Sequence, residues 1–175
     1  ASFSISTYYD VYDHLRSIDP GTTPSGLPLQ FGNLMAGIVY GVEAWGNLQL
    51  ASWWRLSAGV SALHESFQFL PGSLTVAGLA FVANDPGQQA MLRSSIDLGN
   101  GVTWDAFLRE VGPLPHPAVP GYVELNTRLG WDVTRSLQVS LSGFNLLHAQ
   151  HMEFLEPGVT TEIPRSVFAQ ARIRF

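Results

Sequence analysis

The sequence predicts an all-β protein, an antiparallel meander of eight strands, and three observations predict it. Apolar residues recur at every second position through most of the chain. The connections between these alternating segments are long and short by turns. Charged residues make up only 13% of the 175 residues, about half the share of an ordinary soluble domain, so water is not expected to cover the whole exterior.

The strands follow in order from the period of two. A strand sends alternate side chains to opposite faces, whereas a helix would scatter them around its axis. Phe3, Ile5 and Val11 open the first segment, expected near 1–16. The second, near 32–50, sets Leu34, Ala36, Ile38, Tyr40, Val42 and Ala44 against Asn33, Met35, Gly37, Gly41 and Glu43. In the third, 54–69, Trp54, Leu56, Ala58 and Val60 oppose Arg55, Ser57, Gly59 and Ser61. The fourth and fifth, 89–98 and 101–112, oppose Leu92, Ile96, Trp104 and Leu108 to Arg93, Asp97, Asp105 and Arg109. The sixth, 120–132, sets Val123, Leu125, Leu129 and Trp131 against Glu124, Asn126, Arg128 and Asp132. The seventh and eighth, 136–147 and 165–175, repeat the pattern through Leu137, Val139, Leu141, Val167, Ala169, Ala171, Ile173 and Phe175.

Between them, the short connections are Ala51-Ser52-Trp53, Gly99-Asn100 and Thr134-Arg135, with Asn100-Gly101 a hairpin signal. The long ones, near 17–31, 70–88, 113–119 and 148–164, are rich in Pro, Gly, Ser and Thr. Sorting loop length by end is the habit of strands that cross an outer membrane, with short periplasmic turns and long outer loops. A bilayer forbids unpaired backbone, so crossing strands close into a barrel. The Leu/Val/Ala face then meets lipid, and the charged face, with Arg93, Asp97, Asp105, Arg109, Glu124, Arg128 and Asp132, meets a wet lumen. Along-strand pairing of Arg93 with Asp97, Arg109 with Asp105, and Arg128 with Glu124 and Asp132 is expected. Trp53, Trp54, Trp104, Trp131 and Phe175 at the short-turn end, and Tyr9, Tyr12, Phe67, Phe69, Tyr122 and Phe144 at the other, are expected to form two interfacial aromatic girdles.

Other classes are excluded or disfavoured. No run of about 18 apolar residues offers a transmembrane helix. There is no cysteine for a disulfide, thiolate metal site or redox pair, and a net charge of −5 without a basic cluster argues against nucleic acid. No catalytic constellation, cofactor site or metal site is expected. His64 and Glu65 are strand neighbours that face opposite ways, so with Ser66 they make no triad. His148 and His151, three apart with Glu153 beyond, are read as solvated loop residues rather than a metal pair, and Asp13-His14 as a hydrated strand end. The apolar run Leu74 to Ala83 inside a long loop is open to several readings: a short helix, an extra strand or a ligand surface. The chain opens mid-pattern, without the charged and apolar regions of a signal peptide, and is expected to be a segment of something longer.

The last third resembles a known family. Tyr122-Val123-Glu124-Leu125-Asn126, Gly130-Trp131, and Val139 through Phe144 followed by Asn145-Leu146-Leu147-His148 are similar to the carboxyl-terminal strands of TonB-dependent outer-membrane receptors, as is the ending Arg165 to Phe175. Asn84-Asp85-Pro86 and Leu108-Arg109-Glu110-Val111-Gly112 fit the same resemblance. It implies eight strands of a 22-stranded barrel, with the plug and TonB box elsewhere. It implies a bacterial outer-membrane location and partners: membrane lipids, the TonB complex acting through the plug, and the barrel-assembly machinery, which would read terminal Phe175. The implied ligand is large and scarce, most often a ferric siderophore, sometimes cobalamin or a glycan. The charged residues named above would line the lumen or touch the plug. The competing expectations are a complete eight-stranded structural or adhesive barrel and a soluble ligand-binding barrel.

Overall fold

The computed structural model describes residues 1–21, 28–74, 78, 83–156 and 159–175. Most of the apolar run between Leu74 and Ala83 lies outside the described residues. A single sheet of eight antiparallel strands dominates: β1 (Ser2–Asp19), β2 (Gln30–Ala51), β3 (Trp54–Phe69), β4 (Gln88–Gly99), β5 (Val102–Val111), β8 (Tyr122–Asp132), β9 (Leu137–Phe144) and β12 (Ser166–Ile173), paired in that order. Two small hairpins interrupt the sequence order without entering the sheet. One is β6 (Leu114–Pro115) with β7 (Ala118–Val119), and the other is β10 (Gln150–Glu156) with β11 (Val159–Pro164). All eight expected strands are present. The second hairpin occupies the predicted 148–164 loop, where no strand was expected.

Register carries the facial alternation across the whole sheet. Trp54, Ile96, Trp104, Leu129, Leu141 and Ala169 are successive Cα partners on six strands, and all belong to the apolar face. Ala58, Leu92, Leu108 and Leu125 form a second such row. A slip of one residue would turn a whole strand inside out, so these rows hold the register. Among the described residues nothing packs over the apolar face: Val60, Leu129, Leu141, Val167 and Ile173 are all exposed.

The turns obey the expected asymmetry. Asn100-Gly101 joins paired Gly99 and Val102, with φ of 52° and 76°. Both central residues in the left-handed region give the primed turn whose twist matches two flanking strands. At the other end lie the long connections. Aromatic residues mark both levels. Indole nitrogens of Trp54 and Trp104 donate to Ser94 Oγ at 3.0 Å and Thr127 Oγ1 at 2.7 Å. Ten residues above Trp54, His64 stacks on Tyr40 with ring centres 4.7 Å apart, and Tyr40 on Tyr9 at 6.0 Å. Ten residues at about 3.3 Å each, tilted by about 40°, rise about 25 Å, the height of a lipid-facing band.

The upper aromatic girdle needs correction. Tyr12 pairs with Gly37, Phe67 with the same Gly37, and Phe69 with Met35, which puts all three on the polar face. Tyr122, two residues before Glu124, and Phe144, two after Ser142, share that face. Only Tyr9 of the six expected there stands on the apolar side, joined by Tyr40 and His64. Of the displaced aromatics, Phe67 has a local reason: its ring lies over Gly37, where any Cβ would collide with it, as the Tyr8 hydroxyl lies over Gly41.

Candidate ligand-facing site on the polar wall

The seven charged residues expected to share a face do share one, but their pairing is across strands rather than along them. Met91, Arg109 and Glu124 are successive partners on β4, β5 and β8; Arg93, Phe107 and Asn126 make the middle polar row, and Ser95, Asp105, Arg128 and Ser142 the third. Arg109 donates through Nε (3.2 Å) and Nη2 (2.9 Å) to Glu124 Oε2. Arg93 approaches Asp105 at 3.8 Å, and Asp105 also accepts from Ser95 Oγ at 2.7 Å. Asp97 caps its own turn by accepting the Gly99 N–H at 2.9 Å, and Asp132 accepts from Gln138 at 2.8 Å. Cross-strand partners lie closer than residues two apart on one strand, which spans about 6.6 Å. Around the middle row, Arg93, Asp105, Phe107, Asn126, Arg128 and Phe144 line an open hollow of about 400 Å³.

Above that hollow, at the long-loop end, the wall receives a visitor from the β10–β11 hairpin. Glu153 Oε1 accepts from Arg109 Nη2 at 2.6 Å and from the Tyr122 hydroxyl at 2.9 Å. His151 Nε2 lies 3.5 Å from the same oxygen, and its ring stacks on Tyr122 with centres 4.0 Å apart. Arg109 in turn sits 5.3 Å over the Tyr122 ring. His151 is 8% exposed, which overturns its reading as a solvated loop residue; His148 is exposed as expected. The two imidazoles, 6.4 Å apart edge to face, point to different surroundings.

The hairpin reaches the wall because its root is fixed. Asn145, fully buried and in the left-handed region at φ 50°, donates its N–H to Asn126 Oδ1 at 2.9 Å and its Nδ2 to the Ile163 carbonyl at 2.8 Å. Asn126 donates onward to Glu124 Oε1 at 2.9 Å. Leu146 N–H bonds the Leu125 carbonyl, and Arg165 N–H closes the base on Ala149. Asparagine tolerates a left-handed backbone, so the Asn-Leu-Leu step leaving β9 is the elbow that turns the chain back over the wall.

Electrostatics favours this arrangement. Burial pushes the Glu153 carboxyl up, but hydrogen bonds from Tyr122, Arg109 and His151 outweigh it and leave it below the ordinary range. Donor atoms of Glu124, His151 and Glu153 lie within 4.8 Å of one another. The cation bridging the two carboxylates is the Arg109 guanidinium, however, so the cluster is an ion-pair network. Sequence reasoning found Arg109 and Glu124 and missed Tyr122, Asn145, His151 and Glu153.

No protein-family model matches the sequence, and no curated protein is close enough in sequence to count as a relative. Solved structures do match. The siderophore receptor PiuA from Acinetobacter baumannii superposes with a TM-score of 0.74 at 18% identity, over 97% of this chain and 26% of the receptor. The pyoverdine outer membrane receptor FpvA from Pseudomonas aeruginosa PAO1 gives 0.74 at 16% identity, over 99% and 27%. The ferric yersiniabactin uptake receptor FyuA from Yersinia pestis gives 0.69 at 19%, over 99% and 27%. The shared fold is an eight-stranded antiparallel sheet that superposes on part of each of these structures. This chain spans about a quarter of the length of the structures it matches.

Proposed function

We propose that these strands are part of the wall of a bacterial outer-membrane receptor that takes up a large, scarce ligand of the ferric-siderophore kind. The carrying observation is one sheet with an uncovered apolar face and a charged opposite face, matching receptor barrels over nearly its full length. In this reading the apolar face meets lipid and the polar face lines the lumen. Arg93, Asp97, Asp105, Arg128 and Asp132 contact a plug carried elsewhere in the protein, while Arg109 and Glu124 support the long-loop end. Trp45, Met91, Phe144 and Phe168 stand exposed among these charges, a mixture that suits a packed plug better than water alone. The TonB complex supplies energy through the plug. The role is transport rather than catalysis.

The complete eight-stranded barrel is the weaker reading, because β1 and β12 do not pair with each other among the described residues. Spin labels at Leu56, Val60, Leu125, Leu129 and Ile173 in the full-length protein should report a hydrocarbon environment. Cells lacking the gene should lose uptake of a ferric siderophore that the intact strain accumulates. Labels that report a dry protein interior, with Arg93 and Arg128 bathed in water outside, would sink the receptor reading.

A further inference from the structure

We propose that Glu153 is a tethered stand-in for a carboxylate on the incoming ligand, and that such a ligand displaces the β10–β11 hairpin from the wall. The inference rests on the receptor reading only in taking the polar face as the one the ligand approaches. Both strong donors of the site, Arg109 Nη2 and the Tyr122 hydroxyl, converge on one oxygen, Glu153 Oε1, at 2.6 and 2.9 Å. Each is fixed from behind on the wall. Arg109 is gripped by Glu124, which is 8% exposed and held by Asn126, and Tyr122 heads β8 in register with Val111. With the hairpin lifted, the wall therefore keeps a guanidinium and a phenol aimed at a single carboxylate-sized position. An Arg beside a neutral hydroxyl recognises that group well.

The hairpin is built to leave as a unit. Its strands pair with each other from Gln150–Pro164 to Glu156–Val159, outside the main sheet. Lifting it breaks no ladder bond of the wall. Its body is held down by Glu153, by the His151–Tyr122 stack and by packing of β10 against the short β7, while Asn145 and Ala149 anchor the root. The fit at His151 is incomplete: its Nδ1 and the Asn145 Oδ1 are buried without a partner among the described residues. Buried polar atoms left unpaired cost free energy, so the docked state is held less tightly than its contacts alone suggest. A tethered carboxylate competes at an effective concentration in the millimolar range. A free ligand prevails only with a second carboxylate or further contacts, a filter that favours multidentate acids.

The test uses the full-length protein in detergent, spin-labelled at Gln89 on the wall and Glu162 on β11, with citrate as the probe and chloride-matched buffer as control. The labels should be close and narrowly distributed without citrate, and citrate should add a longer-distance population that chloride does not. Glu153→Gln should populate the long distance unaided and lower the citrate concentration needed at Arg109 by about tenfold. Arg109→Gln should abolish the citrate response. Retained heat-modifiable migration shows that each variant is folded. A distance unmoved by Glu153→Gln, or a wild-type protein in which citrate and chloride act alike, would overturn the tethered-ligand inference. Either result would leave the lipid-facing labels and the uptake phenotype, and hence the receptor reading, untouched.

Discussion

The two ends of the sheet solve the same problem with different chemistry. In β1, β2 and β3 the strands run 18, 22 and 16 residues, well beyond the 9–11 a bilayer needs. Their polar face is built of small residues across which neighbouring rings lie, as Phe67 does on Gly37. In β5, β8 and β9 the strands run only 10, 11 and 8 residues, and the polar face is tied by Arg109–Glu124 and its neighbours. Each end also pins a long connection with a carboxylate. Asp19 is held below the ordinary carboxyl range by Ser17 and Ser73 hydroxyls and the Leu74 N–H, with burial opposing them. Glu153 instead meets a guanidinium and a phenol. Uncharged donors suit a permanent tie. A charged pair set on the wall suits an exchangeable one.

Four substitutions and a titration sharpen that contrast. The outer faces should not differ: Val60→Arg at one end and Leu125→Arg at the other should each cost about 2–4 kcal/mol of barrel stability in lipid, as for cations near a bilayer midplane. Urea unfolding in liposomes checks this, and a cost at only one end would mean that the two ends do not share a membrane. The inner faces should differ in kind. Arg109→Met leaves Glu124 buried without its cation, at about 1–3 kcal/mol. Gly37→Val forces the Phe67 ring off the backbone at a similar or smaller cost, about 1–2 kcal/mol, independent of pH.

The smallest effect is a titration. Glu153 is lowered from 4.5, its hydrogen bonds outweighing burial. Its contribution to stability is therefore present above that value and vanishes as pH falls through the folded one. Acid should lengthen the Gln89–Glu162 label distance in the wild type, and Glu153→Gln should show no such pH dependence.

Most of the sheet was legible because its two faces carry opposite chemistry, which imposes a strict alternation, and Leu92, Leu108 and Leu125 advertise it without help from distant residues. The β10–β11 hairpin was not. His151, Met152, Glu153, Phe154 and Leu155 mix polar and apolar residues on both sides, so no period emerges. Glu153 finds Arg109 from 44 positions away, a pairing only the fold can bring about. Tyr122 was misassigned although a signal existed. It has the parity of Glu124, Asn126 and Arg128, and parity outranks the habit of placing a strand-end aromatic in a girdle. The pairing of Arg93 with Asp105 rather than Asp97 likewise depends on which strands are neighbours.

The closed base of that hairpin carries one more implication. Gln150 faces Pro164, and Arg165 bonds Ala149, so β9 and β12 meet as though joined by a tight turn. Residues added beyond the Glu156–Val159 pair leave the pairing of β9 with β12 as it is, and lengthening a closed loop adds only a slowly growing entropic penalty. New reach or new chemistry could be grafted at this address without disturbing the sheet.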